Sequence, residues 1–245
     1  MGIFDNANTV TIGGKEVQSL KIGTSILYEK PSGGQQESNI LFEDACSNNN
    51  KLSSYGSPVN INQASMSGTP TMDYDSAENA YAMFGTSSSD YVIYPISTLD
   101  GKNNFTFSCE VKVNNSTGYP YVGLGVMPDA SSLSSTYADI FYIYRYSATQ
   151  VNAYAQKRRR TNKSSNSSTG RVTHTPTNWL RIKVVFDNST GYTCTWEEVS
   201  NGSILKTYTG TVTAEVSSRH YGVYMRCYTA SYKGWIRNIK AEKNS

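Results

Sequence analysis

Apolar and polar residues alternate along most of this chain with a period of two. The clearest case is the segment 179–208, in which three alternating stretches are separated by Asn-Ser-Thr-Gly and Ser-Asn-Gly. In its first stretch, Leu180 and Ile182 fall on one face, whereas Arg181 and Lys183 fall on the other. Such alternation is typical of β-strands with one buried face. The segment therefore predicts a β-meander that contributes to the core.

The same alternation recurs at regular intervals, with turns rich in Gly, Asn and Ser. No convincing 3.6-residue apolar period is present, so the sequence predicts strands rather than helices. Regular strand spacing favours two packed antiparallel sheets. Further strands are predicted at 90–94, 104–113, 121–127, 139–146, 151–156, 221–228 and 235–242. The long polar segment 45–89 is expected to wrap around an edge or rim of this sandwich.

The first part of the chain has a different organisation. Residues 12–17 and 22–27 each contain an apolar residue, a tight turn and a return strand. We predict a β-meander over 1–30, a flexible Pro/Gly/Ser/Gln linker over 31–38, and one large domain over 39–245. A meander this small has exposed edges and no core of its own. It is expected to dock on a partner or on copies of itself, with packing against its own large domain as the alternative.

Composition narrows the classes of function. The chain has 245 residues, 19 tyrosines and a formal net charge of +3. That charge is too small to indicate a nucleic-acid partner. No signal peptide and no membrane-length apolar run are visible, so synthesis in the cytoplasm without membrane insertion is expected. The four widely spaced cysteines, Cys46, Cys109, Cys194 and Cys227, are expected to be buried reduced thiols, although a disulfide stays open.

Two stretches resemble known families. The module GGKEVQSLKIGTSILYEKP, with its linker, resembles N-terminal attachment segments on structural proteins of tailed bacteriophages and archaeal viruses. The run ILFEDACSNNNKLSSYGS and the strand order after it resemble concanavalin A-like, or laminin-G-like, jelly rolls, with Tyr55 where Trp is usual. The resemblance implies an all-β, antiparallel two-sheet jelly roll after the small meander. The resemblance of the N-terminal module implies a place on the virion surface.

One face of the predicted sandwich is rich in tyrosine. If Phe141 and Ile143 point inward, the tyrosines between and beyond them join an outer face whose floor is kept low by Gly123 and Gly125. Aromatic faces stack on pyranose rings, and amides and guanidinium groups hydrogen-bond sugar hydroxyls. The alternative is that half-exposed tyrosines are simply routine on strands. The candidate ligand-binding residues are Tyr142, Tyr144, Asn152, Tyr154, Gln156, Tyr224 and Arg226.

A basic run is expected at the rim of this face. It consists of Lys157, Arg158, Arg159 and Arg160, followed in the same loop by Lys163 and Arg171. Such a run can bind phosphate, a sulfated glycan or an acidic neighbour, or it can simply be solvated.

The sequence predicts no cofactor, and bound calcium is a weaker alternative. Clustered oxygen ligands suit calcium, and structural calcium near the opening acidic pair is frequent in the family that the chain resembles. The spacing fits no EF-hand, and acids in polar loops are usually solvated. The candidate ligands are Asp73, Asp75, Glu78, Glu43 and Asp44.

The sequence does not predict an enzyme. Retaining glycosidases of this fold place several carboxylates at alternating positions of one strand, about 5 Å apart. Here Glu110 is alone on its strand, and Glu197 and Glu198 are adjacent and hence on opposite faces. His174 and His220 have no companion in a nucleophile or metal motif. Both are expected to be ordinary loop histidines.

These observations predict a virion structural protein, namely a tail fibre, a head fibre or a capsid decoration. Its jelly roll would be a carbohydrate-binding lectin for adhesion to host or mucosal glycans. Its first 30 residues would bind other virion proteins and form a homo-oligomer. Two alternatives stay open: a structural decoration or fibre subunit without sugar binding, and a polysaccharide hydrolase of the same fold.

Overall fold

The computed structural model describes residues 10–12, 15–17, 19–22, 25–29, 38–84, 90–114, 120–160, 167–226 and 233–244. Contacts within the chain divide it into two compact units, Met1–Ser38 and Asn39–Ser245. The predicted linker residues 31–37 and the basic-run residue Lys163 lie outside the described residues. Within the described part of the chain, no helix has the length and apolar character needed to span a membrane.

The first unit contains two antiparallel hairpins. Strand β1 (Val10–Ile12) pairs with β2 (Lys15–Val17), and β3 (Ser19–Ile22) pairs with β4 (Ser25–Glu29). Two residues join the strands of each pair, and a glycine is present in both connections. Glycine accepts the positive φ angles that two-residue hairpin turns require. The strands of both predicted hairpins are confirmed as two separate two-stranded sheets, while the turns between them lie outside the described residues.

The second unit is all β apart from short 3₁₀ turns. Its strands are, in chain order, β5 (Ile40–Asp44), β6 (Val59–Asn60), β7 (Thr71–Asp75), β8 (Ala80–Phe84), β9 (Val92–Pro95), β10 (Phe105–Val113), β11 (Tyr121–Met127), β12 (Ala138–Arg145), β13 (Gln150–Arg158), β14 (Ser167–Thr173), β15 (Leu180–Phe186), β16 (Gly191–Glu198), β17 (Ile204–Thr211), β18 (His220–Arg226) and β19 (Gly234–Lys243). The 3₁₀ turns are Asn49–Ser54, Ser97–Leu99, Ala130–Ser134 and Val216–Ser218.

The strands form two antiparallel sheets. An eight-stranded sheet has the order β17-β16-β15-β10-β19-β8-β7, with β5 also paired to β19. A seven-stranded sheet has the order β14-β13-β12-β11-β18-β9-β6. The two ends of the unit are neighbours, because the Lys243 amide donates to the Asn39 carbonyl at 2.7 Å. The predicted antiparallel two-sheet sandwich is confirmed.

The core lies between the two sheets. The alternating apolar positions of β15 and β16, from Leu180 to Trp196, are buried, which confirms the predicted meander as part of the core. The sheets meet through aromatic rings. The ring centre of Tyr221, in the seven-stranded sheet, lies 4.9 Å from that of Phe105 and 5.0 Å from that of Phe186, both in the other sheet. Truncating such a ring to alanine typically costs about 3–5 kcal/mol.

Three of the four cysteines lie in this core as free thiols. Cys46, Cys109 and Cys194 are each at most 1% exposed. Burial raises the pKa of all three thiols well above the ordinary value. A thiol that stays protonated is a poor nucleophile and a poor metal ligand. The predicted buried reduced thiols are confirmed for these three, while Cys227 lies outside the described residues.

Edge strands were missed in two segments of the sequence, and the loop assignment of Arg171 was wrong. The polar segment 45–89 does reach the edges of the sandwich, but it does so as strands: β6 ends the seven-stranded sheet, and β7 and β8 end the eight-stranded sheet. Arg171, assigned to a loop, lies on the edge strand β14. Edge strands are short and carry polar residues that discourage further pairing, so their sequences resemble loops.

Candidate functional site

The outer side of the seven-stranded sheet carries a cluster of tyrosines, which we call the tyrosine face. Phe141 and Ile143 pack in the main core, so Tyr142 and Tyr144 belong to the opposite side of β12. This settles the alternation that the sequence left ambiguous. The tyrosine face comprises Tyr91, Tyr121, Tyr142, Tyr144, Tyr154 and Tyr224.

Neighbouring rings of the tyrosine face touch across three strands. The Tyr121 ring centre lies 4.9 Å from that of Tyr142 and 5.1 Å from that of Tyr144. The Tyr154 ring centre lies 5.4 Å from each of the same two rings. Aromatic pairs at this spacing gain about 0.5–1.5 kcal/mol beyond simple burial. The rings therefore hold one another in place and form a preformed surface.

A glycine sets the spacing of the strands below these rings. Gly123 lies opposite Tyr142 on one side and Tyr224 on the other in the sheet register. A Cβ at this position would lie 1.9 Å from the Phe141 carbonyl oxygen. Any side chain at Gly123 would push β11 and β12 apart, so the glycine preserves the ring contacts.

Three predicted ligand-contacting side chains are buried, and the expectation that they are exposed was wrong. Tyr142, Asn152 and Tyr224 are 3%, 7% and 0% exposed. Tyr142 and Tyr224 pack in a second apolar cluster with Ile61 and Leu133. Ile61 and Leu133 come from segments outside the regular strands. The alternation within the strands therefore could not show that they cover Tyr142 and Tyr224. The three buried side chains support the surface from below.

The other tyrosines of this face remain accessible. The half-buried side chains of the tyrosine face and its border are Tyr91, Tyr121, Tyr144, Tyr154, Gln156 and Arg226. The Tyr144 and Tyr154 hydroxyls lie 3.3 Å apart, and the Tyr142 hydroxyl donates to Gln156 Oε1 at 3.0 Å. Burial, and then the Tyr154 hydroxyl, raise the pKa of Tyr144. Its protonated hydroxyl can hydrogen-bond a ligand.

Two members of the tyrosine face, Tyr91 and Tyr121, are absent from the candidate ligand-binding residues chosen from the sequence. The Tyr91 ring centre lies 3.8 Å from the guanidinium carbon of Arg158 and 4.4 Å from that of Arg226. Arg226 also lies 4.8 Å from the ring centre of Tyr121. Their alternation with Ile93 and Gly123 was available as a signal, since these positions share the outer face. The contact with Arg158 depends on tertiary structure and left no sequence signal.

The predicted basic rim is divided by the structure. Lys157 pairs with the buried Asp139 at 2.8 Å, and burial of that carboxyl raises its pKa to about 6 although Lys157 opposes the shift. Arg159 and Arg160 hydrogen-bond backbone carbonyls, including Ala130 O at 2.7 Å from Arg160. These three residues hold loops in place. Arg158 alone of the run joins the tyrosine face.

The predicted calcium ligands do not converge. Glu43 and Asp44 are adjacent on β5, where Glu43 is exposed and Asp44 is buried against the Tyr55 hydroxyl at 3.0 Å. Asp75 accepts a hydrogen bond from Trp235 Nε1 at 3.0 Å, which lowers the pKa of its carboxyl. The remaining two are Glu78, which pairs with Lys112, and Asp73, which accepts from the Tyr74 amide. No metal-binding group of three or more His, Cys, Asp or Glu occurs among the described residues.

The outer side of the eight-stranded sheet carries a charged groove. Its most buried member, Glu110, accepts from Arg181 at 3.0 Å, Arg237 at 2.9 Å and Asn238 at 3.0 Å. The register of β10 and β19 shifts between Ser108 and Glu110, and Asn238 has a φ of 49° at this irregularity. The strand bulge therefore brings the Asn238 amide onto the carboxylate, which is fully occupied by donors of its own sheet.

The two histidines differ in their surroundings. His174 is buried, with Nδ1 2.9 Å from Glu198 and Nε2 3.0 Å from the Asn178 carbonyl. His220 is partly exposed between Asp100 at 3.0 Å and Asp129 at 2.9 Å. Burial opposes protonation of His220, but its hydrogen bonds to Asp129 and Asp100 outweigh this and raise its pKa. Both histidines thus tie loops to strands.

Comparison with solved structures places this sandwich among known folds. One similar structure, at a TM-score of 0.52, is a glycosyl hydrolase family protein from Mycobacterium fortuitum, with 8% identity over 82% of this chain and 99% of that chain. Another is a protein of unknown function with a galectin-like fold from Bacillus subtilis, with TM-score 0.50 and 8% identity over 83% and 96%. A third is the CBM2 module of the evolved Dit of Lactobacillus casei BL23 phage J-1, with TM-score 0.50 and 10% identity over 83% and 95%. No family model and no curated protein matches the sequence. At these identities the similarity concerns the fold alone.

Proposed function

We propose that this chain is a virion structural protein whose jelly roll binds glycans through the tyrosine face. The observation that carries the proposal is the preformed surface of four half-buried tyrosines, Tyr91, Tyr121, Tyr144 and Tyr154, bordered by Gln156. Aromatic rings fixed in this way can stack on pyranose rings without losing side-chain entropy on binding. Hydroxyl and amide groups at the border can hydrogen-bond sugar hydroxyls.

A glycan array tests the binding. We expect the wild type to retain a subset of glycans and the double variant Tyr144→Ala/Tyr154→Ala to lose them. Tyr74→Ala is the matched control, because Tyr74 is a half-buried tyrosine on β7 of the other sheet. Both variants are first checked for wild-type circular dichroism. Equal retention by the double variant and the wild type would show that the tyrosine face is not the glycan site.

The placement on a virion rests on the attachment-like module at the start of the chain. A fold similar to that of a module from a phage Dit protein is consistent with this placement. Residues 1–30 would bind other virion proteins and assemble copies of the chain, so that weak single sites act together. Deleting residues 1–30 should abolish particle attachment and leave the sandwich folded. A deletion that unfolds the sandwich would instead make the module part of its core.

The proposal includes no catalysis. Glu110, the most enclosed carboxylate of the charged groove, is bound by two arginines and an asparagine of its own sheet. Incubation with a panel of polysaccharides should release no reducing ends. Light scattering of the variant that lacks residues 1–30 separates the remaining alternative, since a purely structural subunit would still form a stable oligomer that covers the tyrosine face and binds no glycan.

A further inference from the structure

The tyrosine face differs from the rest of the surface in its charge. The strands of the seven-stranded sheet carry one carboxylate in their described residues, Asp139, which is buried and paired with Lys157. The outer positions of the same strands carry Arg158, Arg171 and Arg226. Positive charge on this face is therefore not balanced by acidic side chains of its own strands.

The loops outside the described residues add no acid to this balance. Segments 85–89, 115–119, 161–166 and 227–232 contain neither Asp nor Glu, whereas 161–166 contains a lysine. They can increase the positive charge of the second unit but cannot neutralise it.

The outer side of the eight-stranded sheet shows the opposite arrangement. Arg181 and Arg237 both bind Glu110, and Lys240 pairs with Glu242 at 2.8 Å. Cations on that side are matched by carboxylates of neighbouring strands. The excess of arginine over carboxylate is thus a property of the strands under the tyrosine face and not of the whole domain.

Arg158 and Arg226 converge on one ring of this face, and Arg158 is held there by neutral groups. The Nε of Arg158 donates to Gln156 Oε1 at 3.3 Å, and its Nη1 donates to Asn62 Oδ1 at 3.0 Å. Both guanidinium groups lie within 4.4 Å of the Tyr91 ring centre. A guanidinium that is stacked on an aromatic ring keeps its charge, and guanidinium groups bind carboxylates and sulfates through charged hydrogen bonds.

A buried hydroxyl lies under the same cluster. The Tyr224 hydroxyl is inaccessible to solvent and has no hydrogen-bond partner within the described part of the chain. The charges of both Arg158 and Arg226 act on it. A buried polar group without a partner is costly, so this hydroxyl lowers the stability of the fold beneath the two arginines.

From these observations we infer that the ligand of the tyrosine face is an acidic glycan. Its carboxylate or sulfate group binds between Arg158 and Arg226 beside Tyr91, and its rings extend over the neighbouring tyrosines. This inference rests on the proposed glycan-binding function and names the class of sugar. Arg171, exposed on β14 and stacked 3.8 Å over Tyr146, offers a second cation to a polymer that runs across the sheet.

Matched pairs of polymers test the inference. Binding of the full chain is measured for hyaluronate and its carboxyl-reduced form, and for dextran sulfate and dextran. We expect at least one charged polymer to bind about tenfold or more tightly than its neutral partner, because charged hydrogen bonds contribute that much to affinity. Whether hyaluronate or dextran sulfate binds distinguishes a carboxylate from a sulfate.

Two variants locate the site. Arg226→Gln should lose about tenfold in affinity for the charged polymer and much less for its neutral partner. Arg181→Gln removes the same charge from the opposite face and should bind as the wild type does, which controls for non-specific attraction. Equal binding of charged and neutral polymers, or equal loss in both variants, overturns the inference and leaves the proposed function standing. Unchanged glycan binding by Tyr144→Ala/Tyr154→Ala overturns the proposed function itself.

Discussion

Gly123→Ala provides the sharpest test of how the fold supports the tyrosine face. The added Cβ would lie 1.9 Å from the Phe141 carbonyl oxygen and 2.8 Å from the Tyr142 Cα. Ordinary contacts begin at 3.4 Å, so the first separation is short by 1.5 Å and backbone must move to restore it. Overpacking of well-packed sites typically costs about 1–3 kcal/mol, and an obstacle made of backbone belongs at the upper end. We expect Gly123→Ala to lower the free energy of unfolding by about 3 kcal/mol.

The neighbouring glycine is a matched control. A Cβ at Gly125, on the same strand and the same face, would meet the Ile93 Cδ1 at 2.6 Å. That atom is the end of a side chain that can rotate. We therefore expect Gly125→Ala to lower the free energy of unfolding by about 1 kcal/mol. For a domain of this size, 1 kcal/mol changes Tm by about 2–4 °C. Thermal unfolding followed by circular dichroism should therefore show a decrease about three times larger for Gly123→Ala.

The comparison also has a functional consequence. The ring centres of Tyr142 and Tyr121 lie 4.9 Å apart, and a displacement of β12 at Tyr142 would separate them. Gly123→Ala should thus weaken glycan binding even at temperatures where the variant is folded, whereas Gly125→Ala should bind nearly as the wild type does. Equal Tm values for the two variants would refute the reasoning, because they would show that β11 and β12 separate without cost.

The remaining predictions concern pH. Because burial raises the pKa of Asp139 to about 6, its protonated form favours the folded state, and the free energy of unfolding should fall on the order of 1–3 kcal/mol as pH rises from 4 to 6. Asp139→Asn should flatten urea-denaturation midpoints over that range, and an unchanged slope would contradict the assignment. His220 has a raised pKa, so its stabilisation is complete below the unfolded value near 6.5 and is lost as pH rises through the folded value. His220→Gln should remove this loss above pH 6.5, which the same titration in urea measures; a variant that retains it would exclude His220 as the source.

Sequence alternation predicted the strands best where one face is solvated. In β15, Lys183 is exposed between buried neighbours, and the predicted segment proved to be part of the core. In β12, residues 138–143 are all buried, because the second apolar cluster covers the outer side of the sheet. A strand that is buried on both faces loses its polar alternation, so the orientation of Tyr142 could not be decided from the sequence.

The composition of the candidate site was predictable only in part. Tyr144, Tyr154 and Gln156 lie at the surface as their alternation indicates. The cover provided by Ile61 and Leu133, by contrast, comes from irregular segments distant in the sequence. Strand periodicity carries no information on which loop crosses which face, and side-chain burial at a sheet surface depends on that crossing.

The two ends of the second unit, near Asn39 and Lys243, lie side by side. Strands β5 and β19 pair in antiparallel fashion, with Ile40 opposite Glu242, so the ends leave the domain side by side. A domain with adjacent ends can be inserted into a surface loop of another protein without stretching that loop. The tyrosine face, which belongs to the other sheet, would stay clear of both fusion points. The sandwich could therefore be inserted into an engineered scaffold without covering the tyrosine face.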